Sequence, residues 1–151
     1  MSPVNTGDVG RQAALNNLID YFQTLSPESV AEMAKVYSED AYFRDPFNEV
    51  NGIAPIKHIF GEMFVLLHDP RFVITETITQ ENGAILIWDF DFRIKSLKPQ
   101  QPRRIHGLSH VRFATDGRVN YHRDYWDAAG ELYEQFPLIG SVLRWLKRRN
   151  K

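Results

Sequence analysis

The sequence predicts an α+β fold from three observations. Apolar residues recur at helical spacing through the first 67 residues, and the period changes to strand alternation from residue 71 onward. Glu81-Asn82-Gly83 and Thr115-Asp116-Gly117 then punctuate the alternating segments as hairpin turns. A chain of 151 residues suits one domain, read as residues 11–149, with residues 1–10 a flexible N-terminal segment.

Leu15, Leu18, Ile19 and Phe22 form the stripe of a first helix, with Tyr21 beside it. Ser26-Pro27 reads as a cap followed by a proline at the first helical position, where a missing amide hydrogen costs nothing. Val30, Met33, Ala34 and Tyr37 continue as a second helical face. Ala41 to Arg44 is read as a short extended segment delivering Asp45, which Pro46 biases away from helical angles. Pro55 to Leu67 carries the third and strongest amphipathic helix, with Ile56, Ile59, Phe60, Met63 and Phe64 on one stripe.

Strands are expected at residues 71–79, 84–94, 104–114 and 118–126, with an exposed crossing at 95–103 marked by Pro99 and Pro102. In the strand 84–94, Leu86, Trp88, Phe90 and Phe92 alternate with Ile87, Asp89, Asp91 and Arg93. Alternation establishes two faces and leaves open which one is inside. Ala128 to Phe136 is read as a short helix, and Leu138 to Lys151 as a further apolar stripe with a basic edge.

Composition narrows the function classes. With 18 basic and 19 acidic residues the formal charge is −1, so no global field draws the chain to nucleic acid, and none is expected as a partner. The absence of cysteine excludes disulfides and thiolate catalysis and accords with a reducing compartment, so a cytoplasmic location is expected. No apolar run approaches the roughly 20 residues that cross a bilayer. Histidines are dispersed without a metal-binding spacing, so neither a metal nor another cofactor is expected.

The order of motifs resembles the nuclear transport factor 2-like superfamily, particularly SnoaL-like proteins and bacterial ketosteroid isomerases. The matching pieces are Leu18-Ile19-Asp20-Tyr21, the run from Tyr37 to Pro46, Val111-Arg112-Phe113, Asp116-Gly117-Arg118 and Tyr125-Trp126, spread over most of residues 11–130. The resemblance implies a cone in which a strongly curved sheet wraps around N-terminal helices and encloses a small-molecule cavity, often in a homodimer. It also implies Asp45 as a proton-shuttling base and Tyr21 as an oxyanion donor, the pairing of base and oxyanion hole by which ketosteroid isomerases work. Ser109 stands where the isomerases carry a neutral aspartic acid, and keeps one hydrogen bond to give.

A second resemblance, to limonene-type epoxide hydrolases, lies in the stretch His122 to Asp127. It implies Asp124 and Asp91 as an acid and base pair around water, yet Asp89 occupies the place of the expected arginine and Arg93 is displaced. Such clustered carboxylates repel without a bridging cation.

Strand parity places His122, Asp124 and Trp126 on one face, where Asp124 can orient the imidazole. The bland alternative for these residues is a structural network in the sheet. A turn cap at Asp45, a core tyrosine at Tyr21 and a locally bonded Ser109 are the equivalent alternatives. Phe43, Phe60, Trp88 and Trp126 are expected to shape the apolar wall. The expected function is binding or transformation of a small, partly apolar organic molecule. Its enzymatic form is cofactor-free proton transfer alpha to a carbonyl, against a noncatalytic module or epoxide hydrolysis. The basic C-terminus with Trp145 offers a peripheral membrane contact, ranked below a solvated rim or a cap on the cone.

Overall fold

The structure, a computed structural model, describes residues 6–135. The expected segment Leu138 to Lys151, with its basic edge and Trp145, lies outside the described residues, as do residues 1–5.

Helix α1 (Thr6–Gln23) starts within the segment read as flexible and buries Leu15, Leu18 and Phe22. Helix α2 (Pro27–Ala31) opens on the expected cap: Ser26 Oγ accepts from the Ser29 amide at 3.1 Å, and Ser29 Oγ accepts from the Ser26 amide at 2.9 Å. That reciprocal pair satisfies two of the amides left without partners at a helix start.

The expectation that Tyr37 continues this helix is corrected by the structure. The helical stripe ends at a 3-10 turn over Met33–Lys35, and strand β1 runs from Tyr37 to Arg44. From Val36 onward the backbone turns to the sheet, the Val36 carbonyl accepting from the Val119 amide at 2.8 Å. Pairing with a distant strand thus overrides the local period.

Strand β2 (Glu49–Asn51) pairs back on β1, and Gly52 carries the chain into α3 (Ile53–Leu66) at φ 99°, a left-handed angle that disfavours side chains. Strands β3 (Leu67–Gln80), β4 (Gly83–Ile94), β5 (Arg103–Phe113) and β6 (Val119–Trp126) follow, then helix α4 (Ala128–Gln135). The sheet order is β2-β1-β6-β5-β4-β3; β1 and β6 run parallel and the other pairs antiparallel. The edges do not close on each other, so the sheet curves over α1 and α3 without forming a barrel.

The inner face of β4 is settled by burial. Leu86, Trp88 and Phe92 point to the helices, whereas Asp89 and Asp91 stand on the outer face with Ile85 and Ile87. The core divides into a main cluster around Leu18, Met33, Phe43, Ile56 and Leu86, and a smaller one around Trp88, Phe92 and Ile105. Gly107 lies against the smaller cluster: a Cβ there would sit 2.6 Å from the Trp88 ring and 2.9 Å from Trp126, so only glycine leaves room for the indole over β5.

Candidate functional site

Register brings the polar residues together. Ser109 pairs with Asp124 and Val111 with His122 across β5 and β6, while Leu86 faces Ser109 from β4 and Phe43 faces His122 from β1. All lie on the inner face, beneath α1 and α3. Between sheet and helices is a narrow chamber of about 10 Å³, room for about one water, walled by Phe22, Phe60, Phe72, Ile74, Leu86 and Trp88. Ser109, His122 and Asp124 form its polar end.

One hydrogen-bond chain connects that end. Tyr37 Oη lies 2.6 Å from His122 Nδ1, and His122 Nε2 lies 2.6 Å from Asp124 Oδ1. Ser109 Oγ donates to the same Asp124 oxygen at 2.5 Å and accepts from Trp88 Nε1 at 2.9 Å. Burial, followed by the charges of Asp124 and Tyr21, pushes the Tyr37 hydroxyl well above its ordinary pKa, so it stays protonated. In a neutral imidazole one assignment then satisfies every atom: Tyr37 donates to Nδ1, and Nε2 carries the proton given to Asp124. All donors converge on Asp124 Oδ1, and Oδ2 has no hydrogen-bond partner among the described residues.

The imidazole itself is almost wholly enclosed, at 1% exposure. Phe22 and Phe43 meet it edge-on at 5.5 and 4.9 Å, and Tyr37 stacks at 5.9 Å. Such walls leave the ring one orientation.

Tyr37→Phe is therefore expected to strand a buried Nδ1, costing about 1–3 kcal/mol of stability. Its nitrogen-15 spectrum should show His122 Nδ1 losing its hydrogen bond while Nε2 keeps the proton given to Asp124, an effect that simple loss of packing would not produce.

The other predicted residues divide. Phe60 and Trp88 line the chamber, and Phe43 backs it by packing on Phe60 and His122. Trp126 shares the inner face but packs with Phe47 in the smaller cluster.

Asp45 is held by its own turn: Oδ1 accepts from the Phe47 and Asn48 amides at 2.8 and 2.7 Å, and the Asn48 side chain spans both oxygens at 2.9 Å. Burial raises its pKa, the Asn48 and Phe47 donors oppose the rise, and the charge of nearby Asp124 adds to it. Asp45 thus neighbours Asp124 electrostatically without lining the chamber. Tyr21 donates to the Ser29 carbonyl at 2.9 Å, which occupies its hydroxyl.

Asp91 and Arg93 are directed elsewhere. Asp91 accepts two bonds from Arg104, at 2.6 and 3.1 Å, on the outer face, and Arg93 pairs with Asp69 at 2.6 Å. Asp89 there meets His106 at 2.9 Å. The sheet stands between Asp91 and Asp124, so no single water can be shared by both. A wider surface groove of about 470 Å³ runs past Asp69, Asp91, Arg93 and Arg104, but these four acids and bases are already paired with each other.

Burial also holds the Tyr21 hydroxyl up at about 12. In the unfolded chain tyrosine ionises near pH 10. Between those limits the folded state binds more protons, so the stabilisation from Tyr21 and Tyr37 is complete below about pH 10 and is lost as pH rises. Urea midpoints should fall steadily from about pH 10 upward as both tyrosines ionise in the unfolded chain, and Tyr37→Phe should make the decline shallower.

Among the described residues no group of three or more histidines and carboxylates could hold a metal ion. Nor is any described helix long and apolar enough to cross a membrane.

The family model for the SnoaL-like domain matches residues 18–122. The chain belongs to the SnoaL-like family. No curated protein matches it. Solved structures resembling this SnoaL-like chain include a hypothetical protein with a ketosteroid isomerase-like fold from Catenulispora acidiphila, in complex with trimethylamine. That match has 12% identity and a TM-score of 0.66, covering 79% of this chain and 88% of the other. An LEH-like epoxide hydrolase of M. tuberculosis matches at 15% identity and TM-score 0.66, over 92% and 94% of the two chains. A steroid delta-isomerase of Pseudomonas aeruginosa matches at 16% identity and TM-score 0.57, over 97% and 93%. At these identities the likeness is one of fold, the nuclear transport factor 2-like cone, and the chemistry must be argued from the site.

The residue that sequence reasoning missed is Tyr37. Its signal was hidden because the spacing from Val30 through Met33 and Ala34 to Tyr37 fits a helix stripe, whereas a tyrosine starting a strand beside His122 requires the pairing of β1 with β6.

Proposed function

We propose that this SnoaL-like domain binds a small, partly apolar organic molecule in the inner chamber and moves a proton at a carbon beside its carbonyl, with Asp124 as base. The observation carrying this reading is the convergence of Ser109 and His122 on Asp124 Oδ1, with Oδ2 left without a partner among the described residues. Asp124 replaces Asp45 as the base because Asp45 has its oxygens committed to a turn.

In this step the carbon–hydrogen bond breaks, its proton passes to Oδ2, and its electron pair moves to the carbonyl oxygen as an enolate. Asp124 is then neutral, and the Ser109 hydroxyl, no longer held by a carboxylate, rotates to the enolate oxygen, while His122, its ring fixed, keeps its Nε2–H on Asp124 Oδ1. Returning the proton at a different carbon completes an isomerisation. Tyr37 keeps the imidazole in the donating tautomer and touches no substrate, which makes it a positioning residue.

At about 10 Å³ the resting chamber has room for about one water, so on this reading a small ligand enters as the rings of Phe22, Phe60 and Phe72 part beside Asp124. The test is deuterium uptake from heavy water by cyclic β,γ-unsaturated ketones, followed by proton NMR, in wild type and Asp124→Asn. Saturable binding without uptake would mark a noncatalytic ligand-binding module. Epoxide hydrolysis has no support of this kind, because Asp91 lies across the sheet from Asp124.

A homodimer is part of the same proposal. Ile87, Leu108 and Tyr125 are cross-strand neighbours on the outer sheet face, with Tyr125 at 43% exposure, and a second copy would cover them. Sedimentation equilibrium should give twice the 17.6 kDa chain mass, and Leu108→Asp should return the single-chain value.

A further inference from the structure

We propose that the surface groove past Asp91 and Arg93 binds a small organic monocarboxylate, whose oxygens accept from arginine N–H groups while its apolar part rests on Phe92 and Pro102. This goes beyond the proton-transfer reading, because the groove shares no lining residue with the inner chamber and binding there needs no reaction.

Size is the first argument. The groove holds about 470 Å³, within the roughly 300–1,000 Å³ usual for small-molecule sites, whereas the resting inner chamber has room for about one water.

Charge is the second. Three of the eight lining residues are arginine and two are aspartate, so with His68 neutral the lining carries a net charge of +1. That charge complements one carboxylate.

The third argument is the donor inventory of Arg93. A guanidinium carries five N–H groups in a fixed fork. Arg93 Nη2 donates to Asp69 at 2.6 Å and Nη1 to the Pro99 carbonyl at 3.1 Å, which fixes the side chain and leaves three N–H groups unused among the described residues, Nε–H included. Pairing with Asp69 therefore does not exhaust it. The Asp69 side chain is also 84% exposed, so the existing pair is solvated and weak, and an entering carboxylate can share the fork with it.

Fourth, the floor is both cationic and apolar. Arg103 and Phe92 line the groove at 5% and 6% exposure, and they are cross-strand neighbours on β5 and β4. A guanidinium withdrawn from water attracts an anion more strongly than one on an open surface, and the adjacent ring accepts the carbon skeleton. Inorganic anions lack the second half of that match.

Benzoate and its neutral near-isostere benzamide are suitable probes, titrated at constant ionic strength in sodium chloride while the backbone amide resonances of residues 91–93 and 103–104 are followed. Wild-type protein should give saturable shifts with benzoate and bind it about tenfold or more tightly than benzamide. Arg93→Gln should remove that preference. Asp69→Asn keeps an oxygen for Arg93 but deletes a negative charge at an exposed position, so it should tighten benzoate about threefold and leave benzamide unchanged.

Equal binding of both probes, a preference that survives in Arg93→Gln, the same shifts from chloride alone, or no saturation would overturn the proposal. Because no turnover is involved, the outcome separates from the proton-transfer reading. A benzoate preference without deuterium uptake from the ketones would sustain this inference and defeat that one, and uptake without a benzoate preference would do the reverse.

Discussion

Asp124→Asn should lower deuterium uptake by about 10²–10⁴-fold while leaving the fold intact. The amide keeps an oxygen that can accept from Ser109 and His122, so the network and the packing around it survive. What is lost is the carboxylate oxygen that takes the proton, and an amide nitrogen at that place cannot serve as a base. Asp45→Asn supplies the contrast. It removes the neighbouring negative charge and disturbs the turn formed with Phe47 and Asn48, but spares the proton acceptor, so its uptake should fall far less. A larger loss in Asp45→Asn than in Asp124→Asn would return the base to Asp45.

Phe43→Ala is expected to be the most destabilising of these substitutions, at about 3–5 kcal/mol. Phe43 is 1% exposed and contacts both Phe60 and the His122 ring. Truncation removes buried apolar area and leaves a cavity beneath β1 that the paired strands β2 and β6 cannot close without breaking their ladder. The cavity would also free the imidazole from one of its walls. Urea unfolding should show the stability loss. In variant protein that remains folded, the His122 nitrogen signals should broaden as the ring gains orientations. A loss under about 1 kcal/mol would mean that the strand closes over the gap.

Much of the architecture was legible because its signals are local. The asparagine-glycine turn at residues 82–83, the cap at Ser26-Pro27 and the amphipathic stripe of α3 all reflect chemistry within a few residues. The shared face of His122 and Asp124 was equally legible from strand parity. Pairing information was not. Which side of β4 is inside depends on Leu86 lying opposite Ser109, and on burial by helices far away in sequence. The same gap concealed Tyr37, whose role follows from a parallel pairing that no local period encodes. Asp45 shows the opposite situation. Its motif was recognisable, but the nearest donors belong to its own turn, and they hold the carboxylate away from the chamber.

The most direct measurement is the Trp88 indole N–H resonance, assigned with Trp88→Phe, during titration with a cyclic β,γ-unsaturated ketone. That N–H is bonded to Ser109, which is bonded to Asp124, so it reports on the polar end of the chamber. Occupancy beside Asp124 predicts a saturable shift whose midpoint matches the concentration dependence of deuterium uptake. An unmoved Trp88 signal, with perturbed resonances confined to Arg93 and Arg104 in the outer groove, would contradict it.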